Sequence, residues 1–284
     1  MTELDRLRAK QQATAPTEIP RDRYGRPLIK PIDGGAPVPY TRVSTLAKAL
    51  DDLNQLMAWK QRKTAEGLIR RPDLLTRVAG ALANGDPDTD WPTKRALNDV
   101  CGEAMEAAGS SKGSSAGTGF HSLTEAIDRG EEPLFVPAAD QARLDAYRAA
   151  TQGYRALDAE VFVVCDDLQA AGSFDRLWLC PDGRVRVGDL KTGKSEKQYP
   201  LATTMQIATY AHSLRYDVET GERAALAADL DVTTGLLIHM PPSGGCEVVP
   251  LDLERGWQAA QLAAEVHHTV RRWKAADLIV GGAA

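Results

Sequence analysis

No run of 18 uninterrupted apolar residues occurs anywhere in the 284-residue chain, so a membrane-spanning helix is not expected. The opening MTELDRLRAKQQ is charged and lacks an apolar centre. A secretory leader is therefore not expected, and a cytoplasmic location is. The four cysteines, Cys101, Cys165, Cys180 and Cys246, form no CxxC pair. Local zinc sites, iron–sulfur clusters and a disulfide framework are accordingly unexpected. Positive charge is not in excess either: 34 Lys and Arg face 39 Asp and Glu, a formal net charge of −5. Many nucleic-acid binders are basic overall, so this balance weakens such a reading. It does not exclude it, because a site that gathers carboxylates around metal ions reverses their sign locally.

What is present is enough chain to bury about three quarters of its unfolded surface without staples. Residues 1 to about 40 are polar and proline-rich (TAPTEIPRDRYGRP, then GGAPVP) and read as an extended leader. Apolar residues recur at helical spacing from Thr41, and residues 41–110 read as a helical region broken by NGDPDTDWP. The Gly/Ser-rich segment GSSKGSSAGTG, residues 109–119, reads as a loop before a helix starting near Phe120. A second helix is expected from about Ala138 to Leu157.

The pattern then turns to strands: AEVFVVC, AGSFDRLWLC and VRVGDLK, the last two joined by PDGR, whose Asp-Gly is a hairpin signal. A helix from about Leu201 to Arg215, strands in VTTGLLIHM and CEVVPL, and a helix from Glu254 to Ala275 complete the order. Residues 111–284 thus read as one α/β core, a mixed sheet flanked by helices in the order α-β-β-β-α-β.

The chemistry concentrates between Glu160 and Lys191. Side chains alternate along a strand, so Asp189 and Lys191 of GDLK share a face, and the hairpin brings Asp175 of GSFD beside them. Two carboxylates and a lysine on one side of a sheet are costly to bury unless compensated. A divalent cation removes the repulsion, and carboxylate oxygens suit Mg²⁺ or Mn²⁺. A lysine beside them can orient water or neutralise charge on a phosphate. The plain alternative for Asp189 and Lys191 is an exposed ion pair worth under about 1 kcal/mol.

Glu160, Asp175 in GSFD, Asp189 and Lys191 in GDLKTGK, then Gln206 and Tyr210 in QIATY resemble the PD-(D/E)XK nuclease superfamily. The closest resemblance is to its RecB-like exonuclease branch, with phage and CRISPR-associated members, and covers roughly residues 115–240. Phe174 stands where many members have proline. The resemblance implies a restriction-endonuclease-like fold and hydrolysis of DNA from free ends, in recombination, replication or repair. It implies one or two Mg²⁺ or Mn²⁺ ions held by His121, Asp175, Asp189 and the Leu190 carbonyl, with Glu160 assisting and Lys191 catalytic. Gln206 and Tyr210 become substrate-binding or site-positioning groups. The cysteine set of the iron–sulfur members is missing, so no cluster is carried over. DNA is the implied partner, with a recombination or replication protein as a possible second; oligomeric state is open. The basic residues Lys60, Arg62, Lys63, Arg70 and Arg71 could grip DNA phosphates or form a solvated helix face.

One motif competes. GDLKTGKS, Gly188–Ser195, matches the phosphate-loop pattern GxxxxGK[ST] and follows a strand, which would make Lys194 and Ser195 nucleotide and metal contacts of an ATPase. Against this, EKQYP follows where a long helix should begin, and Pro200 disfavours helix just before it. A DNA-binding relative that has lost catalysis is the remaining alternative, and the intact Asp175, Asp189 and Lys191 argue against it.

Overall fold

A computed structural model describes residues 18–279, apart from the side chains of 112–116 and 118. The chain divides into two compact units, residues 51–123 and the remainder. The polar leader expected for residues 1–40 falls partly outside the described residues. Its described part pairs Leu28–Ile29 (β1) with Val38–Pro39 (β2). Ile29 is fully buried and Tyr40 nearly so, packed with Val164, Ala171 and Tyr216. An apolar residue in a short hairpin is enough to anchor a segment whose composition reads as loose. Thr41–Arg42 (β3) and the helix Val43–Ala47 (α1) follow.

In the smaller unit, Asn54–Arg70 (α2), Asp73–Asn84 (α3) and Trp91–Ala107 (α4) bury Leu74, Val100 and Ala104 against Leu68 and Val78. The carboxylate of Asp90 caps α4, accepting from the Thr93 N–H at 3.0 Å and its hydroxyl at 2.6 Å, with Pro92 in the first turn. The Gly/Ser-rich segment expected as a loop is instead the start of a helix, Lys112–Asp128 (α5), whose residues from Thr124 on belong to the larger unit. Tertiary context outweighs the weak helix propensity of glycine and serine here.

The larger unit is built on an eight-stranded mixed sheet. Ala138–Ala150 (α6) leads into Arg155–Cys165 (β4), Ala170–Leu179 (β5) and Val185–Lys191 (β6). The β5–β6 turn closes as its Asp-Gly signal predicts: the Cys180 N–H donates to the Arg184 carbonyl at 2.9 Å, and Gly183 takes φ +81°. Leu201–Ala211 (α7) then crosses over, after which come Leu214–Tyr216 (β7), Arg223–Ala224 (β8), Thr234–His239 (β9) and Glu247–Asp252 (β10). Leu253–His268 (α8), a 3₁₀ turn Val270–Arg272 and Ala275–Leu278 (α9) close the described chain, in place of one helix to Ala275.

Strand order is β10-β9-β6-β5-β4-β7-β8, with β3 lying parallel to the start of β5. β6 and β9 are parallel, which needs a crossover, and α7 supplies it. Val163, Phe174, Val187, Met205, Ile207, Leu237 and Leu253, all fully buried, form the core between the sheet and helices α7 and α8. Each such side chain contributes roughly 1.5–3 kcal/mol.

The β6–β9 junction also carries a charged clasp. Asp231 accepts from the Thr233 hydroxyl at 2.8 Å, the Thr233 and Thr234 N–H groups at 3.0 and 3.1 Å, and Arg186 Nε at 3.0 Å. Burial opposes ionisation, but these donors outweigh it and hold the carboxyl down at about 2. A carboxylate with a lowered folded-state pKa stabilises fully above its ordinary value of 3.8, and that contribution disappears as pH falls from 4 toward 2. Asp231→Asn is expected to cost about 1–2 kcal/mol at neutral pH and to flatten stability between pH 4 and 2, read by denaturant unfolding.

Candidate functional site

The site arises where two strands part. β5 and β6 pair from Leu179↔Val185 to Arg176↔Gly188, and there the ladder ends. Beyond that point β6 continues beside β9 through Lys191↔His239. The edge of β6 facing β5 is left with main-chain donors to satisfy, and Asp175 meets one: the Leu190 N–H donates to its Oδ2 at 2.8 Å. Gly188 is required just before this point, because a Cβ there would lie 2.7 Å from the Trp178 ring.

Asp189 and Lys191 share a face, as strand alternation requires. Asp189 is 1% exposed, and the Lys191 ammonium sits directly against its carboxylate. From α7, Gln206 Nε2 donates to Asp189 Oδ1 at 3.2 Å and lies 3.4 Å from the Tyr210 hydroxyl. Tyr210 is buried against Phe174, with ring centroids 6.1 Å apart. The i, i+4 spacing of Gln206 and Tyr210 thus places both behind Asp189.

On the other side of β5, the register with β4 runs Ala159↔Arg176 and then Val161↔Phe174, skipping the position where Glu160 faces Asp175. Glu160 has φ +53°, a conformation that costs a non-glycine residue on the order of 1–2 kcal/mol. Although the residue as a whole stays exposed, crowding around its carboxyl pushes it up to about 7, with Asp175, Glu125 and Asp189 adding repulsion against the pull of Arg176. Burial likewise raises Asp175, opposed by the Leu190 N–H, Lys191 and Arg176, and reinforced by Glu125. Lys191 goes the other way to an ordinary buried amine. Burial disfavours its charge, but Asp189, Asp175 and Glu196 outweigh that, so it stays cationic at any working pH. Tyr210 is raised by burial and by Asp189, Asp175 and Glu160, against the hydrogen bond from Gln206.

Glu125, whose carboxylate pairs with Arg129 and whose charge raises Glu160 and Asp175, is an acid that sequence reasoning missed. It lies on α5, one helical turn after His121, and an i, i+4 reading from that histidine would have found it. His121 is half-buried on the same helix, in the smaller unit. Also missed was the buried group around Arg176, whose partners lie far away in sequence.

Of the basic residues considered for DNA, Lys63 pairs with Glu66 at 2.8 Å, Arg70 pairs with the same glutamate, and Arg71 reaches Asp73 at 2.6 Å. Only Lys60 and Arg62 of that set are left as simple exposed cations. The phosphate-loop alternative also meets the geometry. Residues 192–200 run as turns before α7 begins at Leu201, and a Cβ at Gly193 would meet the Glu196 carboxylate at 2.7 Å, so an anion lies beside this loop. A phosphate loop instead opens directly into its helix.

The profile of the PD-(D/E)XK nuclease superfamily matches residues 88–278, well over half the chain. This chain belongs to the PD-(D/E)XK nuclease superfamily. No curated protein matches it. The mixed sheet flanked by helices is the architecture the superfamily calls for. Membership points to a nuclease with DNA as its substrate, and nucleases of this superfamily typically use divalent metals. Among the described residues, no helix is long and apolar enough to cross a membrane.

The donor chemistry fits such an ion. Beside burial, the charges of Asp175, Glu125 and Asp189 raise Glu160, and that of Glu125 raises Asp175, an electrostatic condition that a divalent cation relieves. Among the described residues no three His, Cys, Asp or Glu side chains are gathered tightly enough to hold an ion. The Lys191 ammonium sits on the Asp189 carboxylate.

Proposed function

We propose that this protein is a metal-dependent DNA exonuclease of the RecB-like kind, acting at free ends in recombination, replication or repair. The observation that carries this reading is the meeting of Asp175, Asp189 and Lys191 where β5 and β6 part. Asp175 and Asp189, with Glu160 assisting, are the proposed holders of Mg²⁺ or Mn²⁺. His121 and the Leu190 carbonyl join them on motif grounds. Such an ion, when bound, lowers the pKa of a water and offsets charge at the scissile phosphate.

The chain's own groups do the rest. Gln206 fixes the Asp189 carboxylate through one oxygen, leaving its other oxygen to Lys191 or to an ion. Lys191, kept cationic by Asp189 and Asp175, is placed to stabilise negative charge developing on phosphate oxygens and to orient the attacking water. Tyr210 supports Gln206 from the core side.

End-labelled linear DNA incubated beside a closed circle tests the reading. Loss of the linear DNA alone is the expected result. Cutting of the circle as well would replace exonuclease by endonuclease on the same fold. Lys191→Ala is expected to abolish cleavage, while Lys194→Ala stays within about twofold of the parent. Dependence on Lys194 together with ATP turnover would restore the phosphate-loop alternative.

A further inference from the structure

Arg176 follows Asp175 directly and is 4% exposed. All three of its guanidinium nitrogens have partners. Nε donates to Asp128 Oδ2 at 2.6 Å, and one terminal nitrogen lies 3.4 Å from the Thr124 hydroxyl. The other donates to the main-chain carbonyl of Asp175 at 2.7 Å. Asp128 in turn accepts from the Tyr147 hydroxyl at 2.7 Å. Tyr147 is 1% exposed, and both Asp128 and Arg176 side chains are 5% exposed.

Such a group is a poor device for stability, since a well-packed apolar trio of the same volume does as well or better. Its geometry suits another purpose. The β4–β5 register skips the Glu160–Asp175 position. At that skip Arg176 supplies a donor to the Asp175 carbonyl, while the Leu190 N–H holds the Asp175 carboxylate. Asp175 is therefore gripped at both ends.

We propose that Arg176, locked by Asp128 and Tyr147, is a positioning residue that sets the main chain of Asp175 and so the placement of its carboxylate. The proposal rests on the nuclease reading for its kinetic consequence, though not for its structural one. A guanidinium is needed because its rigid fork serves the Asp128 carboxylate and the Asp175 carbonyl together. An ammonium is a single point charge without that fixed geometry. A misplacement of about 1 Å in a catalytic group costs on the order of 10²-fold in rate.

The test uses two conservative variants of the full chain, Arg176→Lys and Tyr147→Phe. The first readout is hydrogen exchange at the Leu190 amide, which the Asp175 carboxylate protects. It is expected to speed up at least tenfold in Arg176→Lys and less in Tyr147→Phe, with exchange at Val187 unchanged. The second readout is kinetic: kcat falls roughly 10–100-fold in Arg176→Lys while KM for DNA stays level. Unchanged Leu190 exchange in both variants would overturn the proposal. So would a rise in KM at constant kcat, which would make Arg176 a substrate contact. If Arg176→Lys fails to fold, Tyr147→Phe carries the same exchange test alone. If the parent cleaves no DNA, the nuclease reading fails, and the exchange result still decides the positioning role.

Discussion

Replacing Asp175 by asparagine is expected to reduce DNA cleavage by about 10³-fold or more, the loss that several kcal/mol of transition-state stabilisation represents. The substitution is nearly isosteric, and an amide oxygen still accepts the Leu190 N–H that the carboxylate holds at 2.8 Å. The melting temperature should therefore stay close to the parent's, or rise, because burial and Glu125 disfavour the charge that is removed. Gln206→Ala provides the contrast. It removes one hydrogen bond to Asp189 without removing a charge, so a loss nearer tenfold is expected. Single-turnover cleavage at saturating metal, with thermal unfolding alongside, checks both. Equal losses in the two variants would mean that the carboxylate itself is not what the reaction needs.

Gly67→Ala is expected to have the largest effect on stability. A Cβ at position 67 would sit 1.7 Å from the main-chain carbonyl oxygen of Ala104. Main-chain atoms cannot rotate away as a side chain can, so α2 and α4 must move apart and the packing around Leu74, Val100 and Ala104 must open. Overpacking of this kind costs about 3 kcal/mol or more. The expected result is early melting of the helical unit, visible as faster hydrogen exchange in residues 54–107 while the amides of β5 and β6 stay protected. A parent-like melting curve would show that the two helices are less closely apposed than the Gly67–Ala104 contact requires.

Two local rules made most of the site readable in the sequence. Strand alternation places Asp189 and Lys191 on one face, and in the structure their side chains touch. The Asp-Gly turn closes the β5–β6 hairpin, and that hairpin sets Asp175 against Leu190. The α-β-β-β-α-β order also survives, because these elements are long enough for their periodicity to show.

What escaped lacks such a signal. β1, β2 and β3 are two residues each, too short for any period to show. The helix over Lys112–Asp128 begins in glycine and serine, which favour a loop until tertiary context decides otherwise. Arg176 finds its partner 48 residues away, and no local pattern links them. Glu125 differs: its spacing from His121 was in plain view, and the motif that drew attention to the histidine drew it away from the glutamate.

The central claim is that Asp175, Asp189 and Lys191 form one metal-dependent cleavage site. The most direct measurement follows end-labelled linear DNA with the purified parent in Mn²⁺, the parent with EDTA, and Asp189→Asn in Mn²⁺. Cleavage in the first reaction alone is the expected result. Undiminished cleavage by Asp189→Asn would contradict the account and move the chemistry away from the junction of β5 and β6.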